Sequence, residues 1–131
     1  MTEKTSSPTR TRDKVLQSLY EIEVGGQDLT DVLKDSFAKK NYANFKLLLE
    51  GVVKSQIKID ELLEKNMDRK LSDLDPIERN VLRLGVYELL NNNLDKPIVI
   101  NESIRLTKKY GTSKGYKYVN ALLDKIVKES L

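Results

Sequence analysis

The chain contains neither cysteine nor histidine. Without cysteine there is no disulfide and no thiolate chemistry, a composition typical of a reducing compartment. Without histidine the usual general base near neutral pH and the commonest metal ligand are both missing. A zinc site would have to rest on carboxylates alone, which is a poor donor set for that ion. Long apolar runs are also missing: the longest, such as Leu47-Leu48-Leu49 and Ile98-Val99-Ile100, are three residues, against about 20 for a membrane span. The first 14 residues hold no apolar stretch of the kind that heads a secretory signal. These features predict a soluble cytoplasmic protein with no membrane segment. The six glycines are scattered, so neither a Walker loop nor a GxGxxG stretch is present to cradle a nucleotide. Carboxylate pairs such as Glu61 and Glu64 fall on polar helix faces and read as solvated surface. The composition predicts a protein that is not an enzyme and carries no cofactor or metal.

What remains is charge, unevenly placed. Residues 1–14 hold four basic and two acidic side chains, residues 15–95 eleven and fifteen, and residues 96–131 eight and three. Both ends are basic and the middle is acidic. If the ends meet they make one electropositive face suited to a polyanion; the alternative is an ordinary lysine-rich, solvated surface.

The 131 residues suit one compact domain or two closely packed halves. Apolar residues recur near a period of 3.6, and no segment alternates as a strand would, so the fold class is all-α. Residues 1–9 read as a disordered leader. A first helix from about Arg10 carries Val15, Leu16, Leu19 and Ile22 and stops at Gly25-Gly26. A short helix spans residues 29–38, with Leu29, Val32, Leu33 and Phe37. Asn41 or Asn44 is expected to cap one long helix reaching Met67, its buried face holding Phe45, Leu48, Leu49, Val52, Ile59, Leu62 and Leu63. Leu71-Ser72-Asp73-Leu74-Asp75 connects two sub-bundles, about 10–70 and 71–131. Asp75-Pro76-Ile77-Glu78 is a helix start: Asp75 can cap, Pro76 loses nothing at the first position, and Glu78 can reach back. That helix buries Ile77, Val81, Leu82, Leu84, Leu89 and Leu90 and breaks in Asn91-Asn92-Asn93. Lys96-Pro97 opens the next, through Ile100, Ile104 and Leu106. Gly111 is expected to supply a left-handed stop. Ser113 is expected to cap a last helix with Tyr116, Val119, Leu122, Leu123, Ile126 and Val127.

Basic residues mixed with aromatics mark both ends of this pattern. Arg10, Arg12 and Lys14 stand at the start of the first helix, with Tyr20 two turns on. Lys114, Tyr116, Lys117 and Tyr118 stand at the start of the last. Lysine and arginine neutralise phosphates, and an exposed tyrosine offers a platform for an unpaired base. A helical tyrosine is also ordinary boundary packing, and the pattern alone leaves both readings open.

The run Leu74-Asp75-Pro76-Ile77-Glu78-Arg79-Asn80-Val81-Leu82-Arg83-Leu84-Gly85-Val86-Tyr87-Glu88-Leu89 resembles the central helix of the NusB family. Pro97-Ile98-Val99-Ile100-Asn101-Glu102-Ser103-Ile104 is similar to the family's I-N-E-A-I helix. Lys117-Tyr118-Val119-Asn120-Ala121-Leu122-Leu123-Asp124-Lys125 resembles its K-F-V-N-G-V-L-D-K signature, and Gln17-Ser18-Leu19-Tyr20 its first-helix A-L-Y. Tyr118 stands for the phenylalanine, Ala121 for the glycine, and Lys114 where some members are acidic. The arginine-rich start is reduced to two arginines and one lysine. The resemblance spans about residues 10–129.

It implies a NusB-like fold of about six to seven helices in two packed bundles. It implies a transcription antitermination factor that binds boxA RNA together with the ribosomal protein NusE. The pair would act on the RNA polymerase elongation complex with other Nus factors, notably at ribosomal RNA operons. Carried over by position, Arg10, Arg12, Tyr20, Lys117 and Tyr118 are the RNA-contact candidates, and Asp75, Glu78 and Tyr87 the candidates for the NusE side. Two other readings compete. One is an RNA-binding accessory domain like those of ribosomal RNA cytosine methyltransferases, which the absence of a methyltransferase segment disfavours; the other is a helical module that binds only protein.

Overall fold

Eight helices and one 3-10 turn make up the described part of the chain, and it has no strand. The computed structural model describes residues 6–40, 42–91 and 94–131. The all-α expectation holds. The helices are α1 (Pro8–Glu23), α2 (Leu29–Val32), α3 (Ser36–Lys39), α4 (Ala43–Lys54), α5 (Gln56–Lys65), α6 (Pro76–Asn91), α7 (Lys96–Tyr110) and α8 (Gly115–Ser130), with the 3-10 turn at Leu71–Asp73. The chain divides into two compact units, one ending at Lys54 and one formed by Ser55–Leu131.

In the first unit α1 starts two residues earlier than the leader reading allows. Ser7 accepts a hydrogen bond from the Arg10 N–H, and Pro8 occupies the first turn, where its missing N–H costs nothing. Pro8 and Thr9 are therefore helical; residues 1–5 of the expected leader lie outside the described residues. Val15, Leu16 and Leu19 are buried along α1, which packs on α4 through Phe45, Leu49 and Val52. The chain leaves α1 through Gly26, whose φ of 73° suits a residue without a Cβ. The single helix expected over 29–38 is two short ones, because Asp35 accepts from the Ala38 N–H and starts a new helix just after α2 ends. Asn44 is no cap. It lies inside α4, and its amide donates to the Ser6 carbonyl at 2.9 Å and to Thr11 Oγ1 at 2.9 Å, tying the start of α1 to α4. Asn41 lies outside the described residues.

The long helix expected to reach Met67 is broken. Ser55, at φ −99° and ψ 6°, leaves helical geometry and separates α4 from α5. That break is also where the two units divide, whereas the sequence placed the connection near residue 71. The reason lies in α5, whose Asp60 is bonded to α6. Arg83 on α6 donates from Nε to Asp60 Oδ1 at 2.9 Å and from a terminal nitrogen to Asp60 Oδ2 at 3.0 Å. The Arg83 side chain is only 7% exposed. Its other terminal nitrogen meets Asn80 Oδ1 at 3.3 Å, and Asn80 in turn donates to the Pro76 carbonyl. At the other end of α5, Asn66 donates to Ser130 Oγ, and Lys125 donates to the Asn66 carbonyl.

Within this second unit α6, α7 and α8 pack on one another over Val81, Leu82, Leu84, Val99, Leu106, Val119, Leu122, Leu123 and Ile126. Gly85 lets them approach: a Cβ there would lie 2.9 Å from Ser103 Oγ and 3.2 Å from Leu123 Cδ1. Leu90, expected in the core, is 46% exposed at the last turn of α6. Asn92 and Asn93 of the expected break lie outside the described residues. Gly111 ends α7 without left-handed geometry, at φ −98°. A side chain is excluded there by crowding, since a Cβ would meet the Thr107 carbonyl oxygen at 2.8 Å. Ser113 does not cap α8. Lys114 holds the cap position, with no side-chain cap bond.

Candidate nucleic-acid interface

The candidate residues belong to two sets, one in each unit. In the first unit the Ser7 cap fixes the opening turn of α1 and so places Arg10 on the surface. Its guanidinium carbon is 5.5 Å from the centroid of the Phe37 ring, and Lys14 Nζ, one helical turn on, is 5.7 Å from the same ring. Phe37 is held by Tyr42 and, edge-on, by Phe45. The aromatic cluster therefore orients two cations that remain available to an anion. Tyr20 is 37% exposed further along α1. Ten residues separate it from Arg10, a rise of about 15 Å, so the two cannot hold the same nucleotide.

Arg12 is a correction. It is 4% exposed and already engaged within the protein, so it does not offer a free charge to a phosphate. The signal was present in the sequence. Arg12 precedes Val15 and Leu16 by three and four residues and so lies on the same buried stripe.

In the second unit α8 begins at Gly115 against α6. A Cβ at Gly115 would lie 2.5 Å from Glu78 Oε1, so the glycine leaves room for the carboxylate against the start of α8. Burial, and then the neighbouring Asp75 charge, push the Glu78 carboxyl above its ordinary range, while Arg69 pulls it down. Asp75 accepts from the Ile77 and Glu78 N–H groups at 3.0 and 3.3 Å, as a cap should. Lys117 is exposed in the first turn of α8 and Tyr118 half-buried beside it. Burial raises the Tyr118 hydroxyl above its usual value; Arg69 opposes this, and Asp68 and Glu78 add to it. Its ring lies under the Arg69 guanidinium, 4.4 Å from centroid to carbon. A parallel pair lies nearby in sequence, with Lys108 Nζ 4.6 Å from the Tyr116 ring.

The structure therefore regroups the candidates. Glu78 lies within electrostatic reach of Tyr118, and Asp75 adjoins Glu78, although the sequence assigned these carboxylates and the tyrosine to different ligands. Glu78 and Tyr87 are nine residues apart on α6, half a turn out of phase, so they do not share a face. Arg69 and Lys108 belonged to no sequence motif. Arg69 stands in the irregular stretch after α5, where helical periodicity carries no signal. Among the described residues no cluster of three or more carboxylates could hold a metal ion, and no helix is long and apolar enough to cross a membrane.

Residues 9–128 match the NusB family. The chain is 39% identical to the transcription antitermination protein NusB of Dechloromonas aromatica (strain RCB), covering 92% of this chain and 78% of that one. Its fold matches NusB of T. maritima with a TM-score of 0.82 at 30% identity, over 96% of this chain and 94% of the other. It also matches, with a TM-score of 0.81 at 31% identity, over 92% and 95% of the two chains, a structure of the antitermination factors NusB and NusE in complex with double-stranded RNA. The chain belongs to the NusB family.

Proposed function

We propose that the protein is a transcription antitermination factor that binds boxA-type RNA together with a NusE-type ribosomal protein. In this reading the pair joins the elongating RNA polymerase with other Nus factors, notably at ribosomal RNA operons, in the cytoplasm. It acts by binding and carries out no chemistry. The RNA contacts are Arg10 and Tyr20 on α1 and Lys117 and Tyr118 on α8; Arg12, being buried, supports α1 from within. Tyr87, half-buried on α6, is the candidate for the protein partner, while Asp75 and Glu78 sit at the Tyr118 end of the same helix.

The observation that carries the reading is the start of α8, where a partly exposed ring adjoins an exposed lysine and lies under a second cation. Rings supply stacking and cations neutralise phosphate, which is the combination single-stranded RNA requires. The likeness to the NusB of the NusB–NusE–RNA structure supports the choice of partner. The test is a titration of boxA-type RNA against a scrambled RNA, with and without NusE. Preference for the boxA-type strand, tightened by NusE, is expected. Equal and weak binding of both RNAs, with NusE bound normally, would identify a protein-only module.

A further inference from the structure

Arg69 covers one face of the Tyr118 ring. A base therefore cannot stack directly on that face while Arg69 stays in place. The arginine is not locked there by its ion pair, because the contact to Asp68 is 3.9 Å long between side chains 51% and 89% exposed, and such a pair contributes little. What favours its position is the ring beneath it and the negative charge of Asp68 and Glu78 around that ring. A guanidinium is a flat ion with two faces. Its central carbon stands over the Tyr118 ring, and the side chain is half open to solvent.

We infer that Arg69 and Tyr118 form one composite stacking subsite for an unpaired nucleobase of single-stranded RNA, the outer face of the Arg69 guanidinium being the platform. This rests on the reading of Tyr118 as an RNA contact and adds a residue to it. Arginine planes stack on unpaired bases as aromatic rings do. The contact with the ring below restrains the Arg69 side chain, so less of its freedom remains to be lost when the base arrives. The N–H groups on its edge stay free to reach a base carbonyl or the adjoining phosphate. Lys117, exposed on the preceding residue, supplies charge for the backbone that leads into the subsite.

The test measures binding of a boxA-type single-stranded RNA to the full chain with NusE, for Arg69→Ala, Arg69→Lys, Tyr118→Ala and the Arg69→Ala/Tyr118→Ala double variant, with Arg10→Ala as reference. Thermal unfolding of each variant checks that the fold is intact. Arg69→Ala is expected to weaken binding about ten-fold. Arg69→Lys should recover little, because an ammonium has no plane to offer. The double variant should be little worse than either single one, since both remove the same platform. Wild-type or tighter affinity for Arg69→Ala, with Tyr118→Ala weakened, would make Arg69 a mere cover and overturn the subsite while leaving Tyr118 in place. Full recovery by Arg69→Lys would make it a simple point charge, and additive losses would make the two residues independent; either overturns the composite platform. If Tyr118→Ala and Arg10→Ala also bind as tightly as wild type, the RNA reading itself falls and the subsite with it.

Discussion

The two units solve the same problem by different means. The second is built from three long helices whose apolar faces close on each other, with the Arg83–Asp60 bridge fixing α5 to them. The first pairs two longer helices, α1 and α4, and adds two four-residue helices held by end groups. Asp28 and Asp31 exchange hydrogen bonds across the start of α2, Asp35 caps α3, and Asn44 clasps Ser6 and Thr11. Helices of four residues do not form from propensity, because nucleation costs more than so few hydrogen bonds return. The cations differ in the same way. Those of the first unit stand over a buried ring and face outward, while Arg69 of the second lies on a ring that is itself a binding candidate. Charge should therefore dominate the contribution of the first unit to RNA binding, and stacking that of the second.

The largest expected effect breaks the packed unit. Asp60→Ala removes the carboxylate that balances the buried Arg83 charge and should cost about 3 kcal/mol, measured by denaturant unfolding. Replacing both residues with apolar ones of similar size should recover much of that loss. Next is Gly85→Ala, which drives a methyl group into Ser103 and Leu123. Ser103 cannot turn away freely, because its hydroxyl donates to the Val99 carbonyl at 2.9 Å. A loss of about 2 kcal/mol is expected for overpacking of this kind.

Cap removal sharpens the contrast between the units. Asp75→Ala and Asp35→Ala each remove one acceptor and should each cost about 1 kcal/mol. Their consequences should differ in extent. Hydrogen exchange after Asp75→Ala should rise only in the first turn of α6, which α7 and α8 hold in place. After Asp35→Ala exchange should rise over the whole of α3. Equal and local responses at both sites would show that the short helices are held by packing after all.

The smallest effect concerns Glu78. Its carboxyl is raised in the folded protein, first by burial and then by Asp75. An acid raised in this way favours the fold while protonated, so its contribution is present at low pH and is lost as pH rises through its titration. Glu78→Gln should therefore melt slightly higher than the parent at pH 7, with the gap closing as the pH falls below the carboxylate range. The reverse order at pH 7 would mean that the attraction to Arg69 outweighs burial and Asp75.

What the sequence made legible follows the same division. The 3.6 period found α6, α7 and α8 to within a few residues, and the buried stripe Val119, Leu122 and Ile126 holds, because in those helices packing and periodicity are one fact. Asp75 was readable as a cap because a proline follows it directly. The break at Ser55 was not readable: the apolar pattern runs on through Ile59 and Leu63, and it is the distant Arg83 that pairs with Asp60 on α5. Gly85 carries no local signal, because its role depends on Ser103 and Leu123, residues brought to it only by folding. In the candidate site, the adjacency of Lys117 and Tyr118 was visible. The contact from Arg69 was not, since it joins an irregular segment to a helix start far along the chain. For Arg12 the position on the α1 stripe, and not the charge, is the decisive signal.

One measurement tests the division of labour most directly. The affinity of the protein, with NusE, for boxA-type RNA should be followed over a salt series for the wild type, Arg10→Ala and Tyr118→Ala. Removing a phosphate contact lowers the slope of log affinity against log salt by about one. Arg10→Ala should therefore flatten the slope. Tyr118→Ala should keep the wild-type slope and lose roughly ten-fold in affinity at every salt concentration. If Tyr118→Ala lowers the melting temperature by several degrees and leaves affinity and slope at their wild-type values, the tyrosine is only boundary packing and the account of the second unit is wrong.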